Sequence, residues 1–286
     1  MQDLRLAVRA LRATPIVTTV AVLSLALGIG ANTALFSLVN SLVLRSLPVT
    51  EPQRLALISG GTPTIALGPP IQGYTYGIWT AIRDKVGIFD GACAWSSTRF
   101  DQSHGGEMNP DGLYVSGEYF RALGVSALLG RTFTAADDVR GGGKDGAVAV
   151  ISYPFWQRQF GGAASVVGAP LIIDRVPFTI IGVTPPDFFG TEVGRVFDVA
   201  IPITWSGRAL DMPSWYLRIM VRLKPGQSID TATAALRGMQ PQIREAAMPQ
   251  LPGFREGAAE FLNSALTLAP AAAGTSALRQ RYERPL

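Results

Sequence analysis

The feature that most restricts the fold of this chain is a long uncharged segment near its amino terminus. Residues 13–44 include no charged side chain, and most of the residues between Ile16 and Phe36 are apolar. About 20 apolar residues in a helix cross a hydrocarbon core that is about 30 Å thick. The segment therefore predicts a transmembrane helix over residues 13–45.

The charges beside this segment predict its orientation. Arg5, Arg9 and Arg12 precede the apolar stretch, and short flanks rich in arginine stay on the cytoplasmic side of a membrane. Their spacing leaves an apolar face on residues 1–12, which is typical of a short amphipathic helix on the membrane surface. Everything that follows residue 45 is then expected outside the cytoplasm.

A cleaved signal peptide is the alternative interpretation, because basic residues precede the segment and Gly28, Gly30 and Ala31 are small. The apolar core of a signal peptide has only about 7 to 15 residues, whereas here the apolar pattern resumes at Ala34 and continues to Leu44. The length favours an anchor that stays in place. The spacing of Gly30 and Ala34 also lets another helix approach closely, but such residues are common in any membrane helix. Contact with a partner helix stays open.

The remainder of the chain has the pattern of a mixed α+β domain over residues 46–275. Short runs of β-branched and aromatic residues alternate with short amphipathic segments. Strands are predicted at 55–59, 91–100, 112–116, 147–152, 171–173, 178–183, 197–203 and 216–223, and helices at 74–86, 118–123, 153–160 and 229–248. Pro241 should kink or break the last helix, and residues 269–274 have the composition of a linker. Residues 276–286 would then begin a basic stalk.

The side chains that catalysis requires are scarce. The chain has one histidine, His104, and one cysteine, Cys93, which excludes a site with two histidines and a disulfide within the chain. No Gly-x-Ser-x-Gly motif is present, and the run Gly141-Gly142-Gly143-Lys144 lacks the other residues of a phosphate-binding loop. We therefore expect no catalytic residue, no metal and no cofactor, and the protein is not expected to be an enzyme.

Two weaker signals have ordinary explanations. Asp137 and Asp138 could bind a cation, but adjacent acids before a glycine-rich stretch are usually a solvated turn, and residues 137–146 should form a mobile loop. Cys93 lies in an apolar run and should be a small buried residue. Without Arg45 and the basic segments at the two termini, the chain has 18 basic and 19 acidic residues. The net charge of +4 therefore comes from Arg45 and the two termini. This balance does not indicate a nucleic-acid groove.

Five sequence blocks, in order, resemble the MacB-like periplasmic core region of bacterial ABC transporter permeases of the FtsX/MacB type, particularly the duplicated orphan-permease subgroup. They are NTALFSLVNSLVLRSLP (32–48), VSGEYFRALGVSALLGRTFTAADD (115–138), VAVISYPFWQRQFGG (148–162), FTIIGVTPPDFFG (178–190) and RLKPGQSIDTATAAL (222–236). The blocks extend over most of the chain. The resemblance implies an α+β body with a porter-like part and an inserted subdomain.

The resemblance also singles out residues by the family's motifs. These are Gly28, Gly30 and Asn32 at the end of the membrane helix; Gly117, Tyr119 and Phe120 of an SGxYF turn; Gly130, Arg131 and Phe133 of GRxF; Trp156, Phe160 and Gly161 of WxxxFGG; and Gly182 and Pro185 of GVxPP. Glycine turns and aromatic anchors indicate a scaffold and supply no reactive group.

The function that this resemblance implies is that of a permease subunit in a bacterial inner membrane, with residues 46–286 periplasmic or extracytoplasmic. A separate cytoplasmic ATP-binding subunit would drive it, a second permease copy is a candidate partner, and the exported domain would relay motion for efflux or extraction of a substrate. In the family, three more membrane helices follow this domain. The chain is therefore expected to stop before the second of the family's four membrane helices. The alternative is a membrane-anchored periplasmic binding or sensing module without transport activity.

Overall fold

A computed structural model describes residues 13–39, 46–60, 73–101, 109–210, 216–249 and 258–276. The predicted amphipathic helix at 1–12, the end of the membrane segment at 40–45, His104 and the stalk beyond residue 276 lie outside the described residues. The described residues fall into two compact units: residues 13–39 belong to the first, and the second is Ser46–Thr275. We refer to the second unit as the body.

The apolar segment forms one long helix, α1, from Pro15 to Val39. Its part from Pro15 to Ala34 has a mean hydropathy of 1.7 and is long and apolar enough to cross a membrane. Large apolar side chains such as Ile16, Leu23 and Leu27 are all more than half exposed. A helix that is apolar on every side and is not covered by protein is suited to a lipid environment.

The body alternates strands with short helices. The strands are β1 (Leu55–Ser59), β2 (Gly91–Arg99), β3 (Asp111–Val115), β4 (Leu129–Gly130), β5 (Val148–Ile151), β6 (Pro170–Ile173), β7 (Val176–Val183), β8 (Val199–Pro202), β9 (Arg218–Arg222) and β10 (Thr267–Pro270). The helices are α2 (Tyr76–Arg83), α3 (Tyr119–Leu123), α4 (Tyr153–Phe160), α5 (Ile229–Ala246) and α6 (Ala258–Asn263). This arrangement confirms the predicted α+β class.

The strands form one mixed sheet in the order β10-β1-β9-β2-β3-β8-β5-β7-β4, and β6 also pairs with β7. After β3 the chain continues through residues 116–198, which supply β4 to β7 of the same sheet, before it returns beside β3 in the parallel strand β8. We call β4 to β8 with α3 and α4 the inserted half, and the other elements of the body the outer half. The pairing of β3 with β8 makes the two halves one sheet.

Helices and loops cover both faces of the central strands. On β2, Ala92 and Ala94 pack with the side chains of α2 and α5, while Cys93 and Trp95 point to the opposite face and pack with α3. In the inserted half, α4 packs against β5, β7 and β8 in a third cluster. Strands buried on both faces consist of nearly continuous apolar residues, as the run Val148–Ile151 shows.

Several local predictions are confirmed by the structure. Strand β1 and helix α4 have the predicted bounds, and α3 ends at Gly124 with φ of 69°. The predicted hairpin of β6 and β7 turns at Asp174 and Arg175, both of which have positive φ values, as a tight two-residue hairpin requires. Cys93 is buried as expected.

Two local expectations differ from the structure. Of the two outcomes predicted at Pro241, a kink or a break, the break does not occur: helix α5 continues to Ala246, with Pro241 on the exposed side and Leu236 and Ile243 on the buried side. The expected linker at 269–274 begins inside a strand, since β10 pairs with β1 and places Ala269 opposite Leu57. Neighbouring strands determine this pairing, which the composition of the segment does not reveal.

Candidate functional site

Most of the residues singled out by their motifs meet at one place in the body. Three segments converge there: residues 116–120 at the start of α3, residues 129–138 around β4, and residues 181–191 at the end of β7 and beyond. We call this region the motif junction. It joins the inserted half to β2 of the outer half, because the ring of Tyr119 lies 6.3 Å from that of Trp95.

Glycines allow the backbones of these segments to touch. Gly130 and Gly182 are paired across β4 and β7. A Cβ atom on Gly182 would lie 2.2 Å from the carbonyl oxygen of Arg131, and one on Gly117 would lie 2.4 Å from that of Thr134. Real Cβ atoms do not approach a carbonyl oxygen so closely, so larger residues would force these segments apart.

An aromatic cluster fills the space beneath the glycines. The ring of Phe120 lies 5.2 Å from Tyr119, 5.8 Å from Phe133 and 6.0 Å from Phe188, and all four side chains are buried. The Tyr119 hydroxyl shares a hydrogen bond of 3.2 Å with Thr191. Burial raises the pKa of Tyr119 well above its ordinary value, so this hydroxyl stays neutral and acts as a hydrogen-bonding anchor.

Arg131 organises the segment that follows. Its guanidinium donates two hydrogen bonds of 2.8 Å to Asp137 and one of 2.7 Å to Asp145. Asp137 also accepts hydrogen bonds of 2.9 Å from the backbone amide and the hydroxyl of Thr134. Burial opposes ionisation of Asp137, but the bonds from Arg131 and Thr134 outweigh it and hold its pKa below the ordinary value.

Asp138 links this segment to two other elements. Its carboxylate accepts a hydrogen bond of 3.1 Å from the backbone amide of Gly117 and one of 3.3 Å from that of Thr204. Burial raises the pKa of Asp138. The expectation of a solvated acidic turn at Asp137 and Asp138 is therefore wrong. Asp137 is only 4% exposed, and the sequence could not show that Arg131 would pair with it or that amides of distant segments would bond to Asp138.

The WxxxFGG residues lie elsewhere in the inserted half. Trp156 and Phe160 are on α4 and pack in the third cluster, and the indole of Trp156 donates a hydrogen bond of 2.9 Å to the carbonyl of Ala163. Gly161 ends α4 with φ of 59°. The structure thus places these three residues away from the motif junction.

Of the remaining motif residues, three lie on α1 and one, Pro185, lies within the third segment of the motif junction. Gly28, Gly30 and Asn32 are on α1, where a Cβ atom on either glycine would meet nothing within 4 Å. Pro185 lies on an open groove of about 400 Å³ between the chain start of the body and the inserted half. The groove is lined by Pro48, Val49, Thr50, Gly124, Val125, Ser126, Pro185 and Phe188.

The chemistry of the junction is that of packing and hydrogen bonding. Within the described ranges, no group of three or more His, Cys, Asp or Glu side chains could hold a metal ion. Burial raises the pKa of Cys93 to about 12, which leaves its thiol protonated. A protonated buried thiol is a poor nucleophile. The arrangement can hold the two halves of the body together.

Comparison with known proteins identifies a family model and several relatives that match this chain. The family model of the MacB-like periplasmic core domain matches residues 18–239. The "Macrolide export ATP-binding/permease protein MacB" of Salmonella typhi and that of Salmonella typhimurium are each 31% identical over 125 residues, which is 43% of this chain and 18% of the relative. The matched segment is thus less than a fifth of those proteins.

Two solved structures are similar in fold. A domain of a putative permease protein from Porphyromonas gingivalis has a TM-score of 0.52 at 17% identity, covering 83% of this chain and 100% of that one. The periplasmic region of MacB from Actinobacillus actinomycetemcomitans has a TM-score of 0.50 at 12% identity, covering 82% of this chain and 95% of that one. At these identities the similarity concerns the fold alone.

The glycine contacts give a first prediction. Gly182→Ala should lower the free energy of unfolding by about 2–4 kcal/mol, because the added methyl group would overlap the carbonyl oxygen of Arg131. Gly238→Ala in α5, where a Cβ atom meets nothing within 4 Å, should stabilise the chain by up to about 1 kcal/mol. Urea unfolding followed by tryptophan fluorescence measures both changes. Equal effects would contradict the proposed close contact.

The bonds of Asp137 give a second prediction. The fold lowers the pKa of Asp137, so the ionised Asp137 stabilises the folded chain. This stabilisation is fully present above the ordinary pKa of an aspartate, about 4, and is lost as the pH falls through the lower pKa of the folded state. Asp137→Asn should cost about 2–3 kcal/mol at pH 7. The difference from the unaltered chain should shrink in acid. Asp84→Asn, whose carboxylate is 66% exposed, serves as the control, and a difference that does not depend on pH would refute the prediction.

Proposed function

This chain belongs to the MacB-like periplasmic core domain family, and we propose that it serves as the exported domain of an ABC-type permease, together with the membrane helix that precedes it. The observation that carries the proposal is the family match, which starts at residue 18 inside α1 and continues through most of the body. The apolar helix is thus part of the family's own pattern. This supports an anchor that stays in place over a cleaved leader.

The proposed location is a bacterial inner membrane with the body on the periplasmic side. Two observations support it. The three arginines before α1 favour a cytoplasmic amino terminus, and the family is defined by periplasmic domains. The described side chains of α1 are largely exposed, which suits contact with lipid.

The proposed role of the body is to relay motion driven by ATP, for efflux or extraction of a substrate. The first and last segments of the body support this role, because hydrogen bonds join them to each other and to the inserted half. The amide of Leu47 donates a hydrogen bond of 2.8 Å to the carbonyl of Ala272, and Thr275 exchanges backbone bonds with Thr191 and Val193. A displacement of either chain end would act on the motif junction through Thr191, which bonds to Tyr119.

We further propose that ATP is hydrolysed by a separate cytoplasmic subunit and not by this chain, and that a second permease copy completes the assembly. The relatives named above are ATP-binding/permease proteins, and the segment that this chain matches covers 18% of their length. Most motif residues of the body take part in packing or hydrogen bonds, which favours a mechanical role over an enzymatic one.

Association with an ATP-binding subunit tests this function. The complete gene should be expressed with the ATP-binding subunit from the same bacterium, and the two should co-purify with an ATPase rate that differs from that of the ATP-binding subunit alone. The ATP-binding subunit expressed with an unrelated membrane protein is the control for non-specific association. No association and no change in rate would count against a transport role and in favour of an anchored binding or sensing module.

Protease accessibility tests the location. Protease added to intact spheroplasts should digest residues 46–275, whereas inside-out vesicles should protect them. A cytoplasmic protein measured in the same samples reports on leakage. Protection in spheroplasts, or recovery of the body in the soluble fraction without α1, would refute the proposed topology.

A further inference from the structure

A buried arginine fixes the segment through which the chain enters the body. This entry segment consists of residues 46–54 and follows the apolar helix in the sequence. Arg222, the last residue of β9, is 6% exposed. Its guanidinium donates hydrogen bonds of 2.8 Å to the carbonyl of Thr50 and 3.4 Å to that of Glu51.

The same guanidinium also reaches the inserted half. Its Nε atom donates a hydrogen bond of 2.6 Å to the carbonyl of Ala122 in α3. The entry segment bonds to this region directly as well, because the hydroxyl of Thr50 donates to the carbonyl of Gly124 at 2.9 Å. One side chain at the end of β9 therefore holds three parts of the body together: β9, the entry segment and α3.

Burying a guanidinium has a free-energy cost, and the structure shows what offsets it. Burial, and to a smaller extent the neighbouring charge of Arg54, lowers the pKa of Arg222. Carbonyl oxygens accept the hydrogen bonds of the guanidinium, which replaces part of its lost hydration. The Arg54 side chain forms ion pairs with Glu51 and Asp90 and donates a hydrogen bond of 2.9 Å to the carbonyl of Leu223. The two arginines thus hold the entry segment from two sides.

Glu51 is held in a conformation that it would not adopt alone. Its φ is 45° and its ψ is 59°, which is the left-handed region that residues other than glycine enter at a free-energy cost. Its carbonyl accepts bonds from Arg222 and from the amide of Arg54, and its carboxylate pairs with the Arg54 side chain. Such strain persists only where the surroundings impose it, and here the two arginines do so.

We infer that Arg222 is a positioning residue that locks the entry segment against both halves of the body, with Glu51 as a strained latch that relaxes when the lock opens. The relaxation would free residues 46–54 from β9 and α3 while the sheet stays folded. This inference concerns a conformational device within the body, and its role in transport rests on the function proposed above. A pull on the chain before residue 46 would reach β9 and α3 through this lock.

Hydrogen exchange of the full chain in detergent tests the lock. Lysine keeps the charge of Arg222 but lacks the fork that spans three carbonyls. Arg222→Lys should speed the exchange of the amides of Leu47 and Arg54 at least about tenfold, while exchange in β5 and β7 stays unchanged. Arg218→Lys, at the other end of β9, is the matched control. Unchanged exchange in the entry segment of Arg222→Lys would overturn the inference.

A milder variant covers the case in which Arg222→Lys does not fold. Thr50→Val removes only the bond to Gly124 and retains the shape of the side chain. It should speed exchange in the same segment by a smaller factor. If Thr50→Val leaves this exchange unchanged and Arg222→Lys fails to fold, Arg222 supports the body as a whole and the inference is wrong.

A pair of substitutions at Glu51 tests the strain. Glu51→Gly and Glu51→Ala both remove the carboxylate, but only glycine accepts positive φ without cost. Glu51→Gly should therefore melt a few degrees higher than Glu51→Ala, and this difference should vanish when Arg222→Lys is also present. Equal melting temperatures of the two variants, or a difference that Arg222→Lys does not alter, would contradict the latch.

The coupling to transport is measured separately. In the complete permease with its ATP-binding subunit, Arg222→Lys should uncouple the two proteins and remove the change in ATPase rate that the unaltered permease causes. If the unaltered permease causes no such change, the proposed function fails while the exchange and melting results still decide the latch. If it causes one and Arg222→Lys retains it, the latch has no part in coupling.

Discussion

The structure of the body depends on the backbone pairing between β3 and β8, which joins the inserted half to the outer half. Four residue pairs from Gly112–Val199 to Val115–Pro202 make this contact. Without it, the chain between residues 116 and 198 would have to bury its apolar residues in a separate small core. With it, the sheet continues across both halves, and Tyr114 packs against the apolar clusters of both. The motif junction then closes the same boundary on the opposite face.

Much of this fold could be predicted from the sequence, since most strands and helices have local signals. The run Val148–Ile151 and the helix that Gly161 ends are examples, because a strand buried on both faces and a helix with a left-handed cap are encoded by adjacent residues. The failures concern non-local partners. The strand β10 exists because β1 lies beside it, and no property of residues 267–270 alone indicates that neighbour.

The same distinction holds for the site. The sequence motifs single out Tyr119, Phe120 and Gly182, which the structure brings together. For Asp137 and Asp138 the sequence instead predicts a solvated turn, which the structure contradicts. An acidic residue is buried only where donors surround it, and those donors come from Arg131, from Gly117 before α3 and from Thr204, two residues after β8. Arg222 gave no signal of its own either, although it lies two residues from the buried Met220 and therefore on the same side of β9.

The bond between Leu47 and Ala272 has a consequence for how such a protein can be built. A module whose first and last residues are neighbours can be inserted into an existing polypeptide at a single point, because it adds no separation between the flanking residues. A large folded cassette of this kind could therefore be added to a membrane protein without rearranging the segments on either side of it. Replacement of that cassette by another with the same closely spaced ends would change what lies outside the membrane while the membrane part is retained.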